Sequence, residues 1–229
     1  MSASATARVA VVVGGGGPPA IGRGDLGDLG DDPLVVAADS GLVHARALGL
    51  AVGRVVGDMD SVDPAALDAA AAAGTRVDRH PEAKDATDLD LALEAAMSAR
   101  PSRLVVVTGA GDRFDHALAV ALSVAAPSRA SARVEAWIGP AHLWVVRGEA
   151  TLAGTPGDLL SLLPVHGPAR GVTTRGLLYP LDDEDLPAAT SRGVSNEWVA
   201  ETATVRVREG VLRAVAPGRA GTHWARSPR

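Results

Sequence analysis

Apolar residues recur through the first part of the chain in short runs: RVAVVV (8–13), PLVVAA (33–38), GRVVG (53–57), TRVD (75–78), RLVVVT (103–108) and RVEAW (133–137). A strand that is apolar at successive positions is covered on both faces, which suits a parallel sheet between layers of helices. Stretches with helical spacing separate most of these runs: GLVHARALGL (41–50), DPAALDAAAAAG (63–74), ATDLDLALEAAMSA (86–99) and DHALAVALSVAA (115–126). The alternation predicts a Rossmann-like α/β domain with a parallel sheet over residues 1–138.

After Gly139 the rhythm changes. HLWVVRG, DLLSLLPV, ARGVTT, GLLYPL, TATVRVREG and VLRAVAPG are short, are divided by Gly, Pro and Asp, and carry no long helical period. That pattern predicts a smaller all-β sandwich domain over residues 139–229.

Composition acts mainly by exclusion. With 47% hydrophobic and 21% charged residues in 229, the chain is of the folded, globular kind. A net charge of −5 argues against nucleic acid or an anionic membrane as partner. It leaves a phosphate-bearing small molecule open, because a local cation reverses the field. The absence of cysteine removes disulfides, thiolate metal sites and thiol nucleophiles, and fits a cytoplasmic protein. No apolar stretch approaches the ~20 residues that span a bilayer. The N-terminus lacks a basic n-region and reads as a mobile lead-in rather than a secretory signal.

Open parallel sheets bind ligands beyond the carboxyl ends of their strands, and the acids of this chain fall on that edge. Asp39 follows the second apolar run, Asp58 and Asp60 the third, Asp85 and Asp88 the fourth, and Asp112, Arg113 and Asp115 the fifth. In an extended segment Asp58 and Asp60 point the same way, and like charges on one face need a counter-ion. Hard oxygen ligands with no Cys or His nearby suit Mg2+, which commonly joins carboxylates to phosphates. A magnesium ion carrying a polyphosphate is therefore expected there.

Several of these residues also have plainer readings. The glycines of VVVGGGGPP read first as a flexible turn, since neither G-x-G-x-x-G nor a P-loop is present. Asp63 before Pro64 is a standard helix start. Asp85 can cap the next helix with Asp88 completing a box, and Asp112 or Asp115 can cap the one after. Asp90 and Glu94 read as a solvated helix face, and His116 as a packing or hydrogen-bonding residue.

Taken in order, AADSG (37–41), GDMDS (57–61), KDATD (84–88), GAGDRFDH (109–116), TRGLLYPL (174–181) and GVSNE (193–197) resemble the thiamine pyrophosphokinase family. The resemblance implies transfer of a diphosphoryl group from ATP to thiamine with Mg2+, yielding thiamine diphosphate and AMP. It makes Asp58, Asp60, Asp85, Asp88, Arg113 and Asp115 the catalytic set, with Asp58, Asp60 and Asp88 on the metal. It assigns Asp39, Ser40, Gly41, Gly57, Ser61, Lys84, Thr87, Gly109 and Arg113 to the nucleotide, and Ser195, Asn196 and Trp198 to thiamine, with Trp198 covering an aromatic ring. It further implies a homodimer whose active site lies between subunits. Asp112, where the family commonly has glycine, and the tetraglycine depart from its pattern. A diphosphokinase for another alcohol, such as a hydroxymethyl pterin, and a non-catalytic thiamine or nucleotide-binding module are the competing readings.

Overall fold

The structure, a computed structural model, describes residues 9–83, 85–111 and 113–218; the N-terminal lead-in, Lys84, Asp112 and the tail with Trp224 lie outside the described residues. The chain divides into two compact units, Met1–Gly139 and Pro140–Arg229.

The described residues of the first unit carry the strands β1 (Val9–Val13), β2 (Leu34–Ala38), β3 (Arg54–Gly57), β4 (Arg76–Arg79), β5 (Arg103–Thr108) and β6 (Arg133–Ile138). They lie in the order β4-β3-β2-β1-β5-β6, every neighbouring pair parallel. Val11, Val12 and Val13 of β1 and Val105, Val106 and Val107 of β5 are all fully buried, so apolar runs do mark strands covered on both faces. Burying one such side chain contributes roughly 1.5–3 kcal/mol.

Among the described residues the α-helices are α1 (Gly41–Ala47), α2 (Pro64–Ala72), α3 (Asp88–Met97) and α4 (Phe114–Ser123). Asp63 caps α2 as expected, its carboxylate accepting from the Ala65 amide, with Pro64 in the first turn. In α3 the cap is Thr87, whose hydroxyl accepts from the Asp90 amide; Asp85 lies outside the helix. In α4 Arg113 stands at the cap position but its side chain makes no capping hydrogen bond, and Asp115 is in the first turn. Small residues Ala92 and Ala96, with Leu93, let α3 pack closely on β1, β2 and β3.

Strand order reverses about β1, which pairs with β2 on one side and β5 on the other. Connections that leave a parallel sheet in opposite directions at such a point open a crevice beyond the carboxyl ends. The crevice is where the acidic and glycine-rich segments emerge.

The second unit holds β7 (Ala141–Val146), β8 (Glu149–Ala153), β9 (Leu159–Arg175), β10 (Glu184–Leu186), β11 (Asn196–Glu197), β12 (Thr202–Arg206) and β13 (Glu209–Ala216). Five run in the order β7-β13-β9-β12-β8, with β10 and β11 also on β9, and all these pairings are antiparallel. DLLSLLPV and ARGVTT, which read as separate segments, are one long strand, β9. It continues through His166 and Gly167, both at positive φ. The core of this unit gathers Leu160, Leu162, Leu186, Trp198, Val205 and Leu212. The chain is thus a mixed α/β protein. Among the described residues no helix is long and apolar enough to cross a membrane.

Candidate active site

β3 ends at Gly57, and the chain then turns sharply instead of continuing extended. Met59 adopts a left-handed conformation (φ 68°), and its side chain drops into the core with Leu42, Val55, Val62 and Leu67. That anchor leaves Asp58 and Asp60 on the rim, and the Asp60 amide donates to the Asp58 carboxylate at 3.2 Å. The two acids therefore come together through a turn about a buried methionine, not through the alternation of a strand.

Asp39 reaches the same place from β2. Its amide donates to the Val56 carbonyl of β3 (3.1 Å), its φ is 44°, and its carboxylate accepts from the Met59 amide at 3.2 Å. Asp39, Asp58 and Asp60 each offer a carboxylate oxygen within 4.8 Å of the others. Asp88, at the first turn of α3, brings its charge close to Asp39. Asp39, which the resemblance assigns to the nucleotide, belongs to this acidic group and also lines the adjoining cavity.

The electrostatics follow from the crowding. Partial burial, then the charge of Asp88, push the Asp39 carboxyl up to about 7, with Asp58 adding to the effect and the Met59 amide opposing it. The neighbouring charge of Asp58 raises Asp60. A cluster that holds protons this strongly carries more negative charge than its surroundings offset, and a divalent cation relieves the same excess. Carboxylate oxygens without His or Cys fit Mg2+.

A cavity of about 340 Å³ adjoins the cluster. Gly14, Gly15 and Gly16 form one part of its wall, with Asp39, Ser40, Ser61, Thr87, Asp88, Gly109, Gly111, Arg113 and His116 around it. The glycine turn is held from α1, where His44 Nδ1 lies 3.2 Å from the Gly14 carbonyl oxygen. A Cβ on Gly109 would collide with the carbonyls of Gly16 and Gly17, so the two glycine segments pack main chain to main chain. The glycines, which read first as a turn, and His116, which reads as a packing residue, line the cavity; main-chain contact between distant segments leaves no local sequence signal. Gly41 is required for a similar reason, since a Cβ there would strike the Val13 carbonyl.

Not every expected residue joins the site. Asp85 is exposed and belongs neither to the acidic group nor to the cavity wall. Asp115 is exposed and paired with Arg113 at 2.6 Å, which orients that guanidinium. Asp90 is not a solvated face residue: its carboxylate accepts from Thr87 (2.8 Å) and Ser123 (2.7 Å).

In the second unit, Ser195 is exposed with φ 61°. Asn196 is buried, and its amide is spent on the main chain of Tyr179, accepting from its N–H at 3.0 Å and donating to its carbonyl at 2.8 Å. Trp198 is 2% exposed and packs edge-on to Trp144 at 6.3 Å. The structure thus corrects the expectation of a ligand-covering ring: Trp198 leaves no open face on this chain. Burial of a single tryptophan among short strands is not readable from local spacing. Tyr179, which the sequence reading did not single out, stands 61% exposed on the segment that Asn196 braces.

Two family models match the chain: the thiamin pyrophosphokinase catalytic domain over residues 29–136, and the thiamin pyrophosphokinase vitamin B1 binding domain over residues 149–212. The thiamine pyrophosphokinase of Bacillus subtilis (strain 168) is 23% identical over 199 residues, covering 86% of this chain and 93% of that protein. The crystal structure of thiamine pyrophosphokinase from Bacillus subtilis superposes with a TM-score of 0.77 at 22% identity, over 93% of this chain and 100% of the other. That of Geobacillus thermodenitrificans gives 0.75 at 23% identity, over 93% and 99%. The fold agrees with these neighbours, and the matched segments hold both the acidic cluster and the Ser195–Trp198 region: the chain belongs to the thiamin pyrophosphokinase family.

Proposed function

We propose that the chain transfers the β,γ-diphosphoryl group of ATP to the hydroxyl of thiamine, in the presence of Mg2+, giving thiamine diphosphate and AMP. The observation that carries this reading is the convergence of Asp39, Asp58 and Asp60 within 4.8 Å, with Asp88 close to Asp39, beside a glycine-walled cavity. Mg2+ bound there supplies charge neutralisation to the polyphosphate. The glycine walls let phosphates approach backbone amides closely, and Arg113, which lines the same cavity, brings positive charge to it. Asp115 keeps that guanidinium in place. The thiamine oxygen forms a bond to the β-phosphorus while the bridge from that phosphorus to the AMP oxygen breaks. AMP leaves with the electron pair, and a carboxylate of the cluster takes the hydroxyl proton.

The same proposal includes a Rossmann-like catalytic domain followed by a β-sandwich that binds thiamine and mediates a homodimer. Parallel order about β1 and antiparallel pairing in the second unit support the first part. The match to a vitamin B1 binding domain supports thiamine binding by the second unit. Ser195 is proposed to touch thiamine directly and Asn196 to act by holding Tyr179. A cytoplasmic location fits the absence of cysteine.

The test is product analysis with ATP, Mg2+ and thiamine, run beside a hydroxymethyl pterin. AMP formed only with thiamine is the expected result. ADP as the sole nucleotide product, or AMP formed only with the pterin, overturns the reading.

A further inference from the structure

None of the ten residues of α4 is buried, and Phe114, Leu118 and Leu122 stand 80%, 45% and 46% exposed. Yet Arg113, His116, Val120 and Ser123 line the cavity from this helix or its cap. A helix that makes one wall without burying a residue in the core must owe part of its placement to polar ties.

One such tie runs through Asp90. Its Oδ2 accepts from the Thr87 hydroxyl (2.8 Å) while that hydroxyl accepts from the Asp90 amide (3.1 Å), closing the first turn of α3 on itself. Its Oδ1 accepts from the Ser123 hydroxyl (2.7 Å) at the last residue of α4. Arg129, only 6% exposed, clamps the pair: Nη1 donates to the Ser123 carbonyl at 2.7 Å and Nη2 lies 3.7 Å from Asp90 Oδ1. One carboxylate thus joins the helix that carries Asp88 to the helix that carries His116 and follows Arg113.

We propose that Asp90, with Ser123 and Arg129, is a positioning device that sets the separation of α3 from α4 and so places Asp88 and Thr87 against Arg113. The inference rests on the diphosphotransferase reading above for its effect on turnover, but not for the tie itself. Asp90 touches no reacting atom in this account; it acts through its neighbours. Misplacing a catalytic group by about 1 Å can cost a hundredfold in rate, so a modest loosening has a measurable consequence.

The experiment compares Ser123→Ala, which cuts the bridge without altering α3, with Asp90→Asn, the double variant, and Ser123→Thr, which restores the hydroxyl. Two readouts are taken. The first is amide hydrogen exchange of residues 114–123 in the ligand-free protein. The second is kcat with the Mg2+ concentration for half-maximal rate. Ser123→Ala and Asp90→Asn are expected to speed α4 exchange, to lower kcat about tenfold or more, and to raise the Mg2+ requirement. The double variant should be no worse than the weaker single, because both remove one link. Ser123→Thr should behave as wild type. A loss of kcat with an unchanged Mg2+ requirement signals fewer folded molecules and overturns the proposal, as do additive effects or unaltered α4 exchange. If the wild type makes no AMP from thiamine, the diphosphotransferase reading fails. Exchange then decides the tie alone: faster exchange in Ser123→Ala supports it and unchanged exchange refutes it.

Discussion

The carboxylate of Asp39 occupies the space where a side chain on Gly57 would begin: a Cβ at that glycine would overlap Asp39 Oδ1 and Cγ. Gly57 also has φ 152°, a conformation few residues other than glycine adopt. The end of β3 is therefore bare so that the acid from β2 can lean across it toward Asp58 and Asp60.

Gly57→Ala should consequently injure both fold and chemistry. The unfavourable backbone conformation costs about 1–3 kcal/mol, and Asp39 must move away from the Met59 amide. A lowered melting temperature together with a fall in kcat/KM of at least about a hundredfold is expected. Thermal melting and steady-state turnover on the same preparation check it; normal turnover would mean that Asp39 has no part in the site.

Asp60→Asn separates chemistry from stability. Asp60 is exposed and its charge is opposed by Asp58, so its removal relieves repulsion in the metal-free protein. The variant should melt no lower than wild type while losing about two to three orders of magnitude in turnover. Near-normal turnover would take Asp60 out of the metal group.

Asp39 also gives the metal-free protein a distinctive pH response. Burial and the charges of Asp88 and Asp58 hold its carboxyl at about 7 rather than at its ordinary value of 3.8. Between those values the folded state binds a proton that the unfolded chain has released. This contribution to stability is complete below about pH 4, and it is lost as the pH rises through about 7. Melting temperature measured across that window should fall with rising pH, and the fall should be shallower in Asp39→Asn. Added Mg2+ should stabilise the wild type more at about pH 8 than at about pH 6, because the ion needs the deprotonated cluster. An identical pH slope in Asp39→Asn would show that the proton resides elsewhere.

Trp198→Ala is predicted to act on the fold of the second unit. The indole fills the core beside Leu160, Leu177 and Val205, and a Cβ on Gly154 would strike it. Such a truncation typically costs about 3–5 kcal/mol. A large drop in the denaturation midpoint is expected. A stable variant with only a raised thiamine KM would restore the ring to the ligand surface.

Much of the fold was legible because its signals are local. Valine runs mark β1, β2, β3 and β5, and Asp63 with Pro64 starts α2. What the sequence could not reveal depends on long-range packing. The left-handed turn at Met59 is set by a side chain seeking the core, and GDMDS read as an extended strand gave the right neighbours by the wrong geometry. Thr87 rather than Asp85 caps α3, because in KDATD either residue has the necessary oxygen and only the path of the incoming chain decides. Asp90 looked solvated from its helical position, but Ser123 and Arg129 come to it from 33 and 39 residues away. At the site, the acids were found because like charges at strand ends demand an explanation. Gly109 is assigned to the nucleotide by the resemblance, whereas Gly14, Gly15 and Gly16 read first as a turn and Tyr179 was not singled out, since none of these carries a charge that has to be offset.

If the proposed chemistry holds, Asp39, Asp58 and Asp60 share one divalent ion that also holds the nucleotide. A crystal structure of the protein with Mg2+ and a non-hydrolysable ATP analogue measures this directly. The predicted result is an ion in this acidic group, coordinated by at least one of these carboxylates at about 2.1 Å and by phosphate oxygens of the analogue lying along the glycine wall. An analogue bound elsewhere, with these three carboxylates apart and engaged only by main-chain amides or surface arginines, would contradict it.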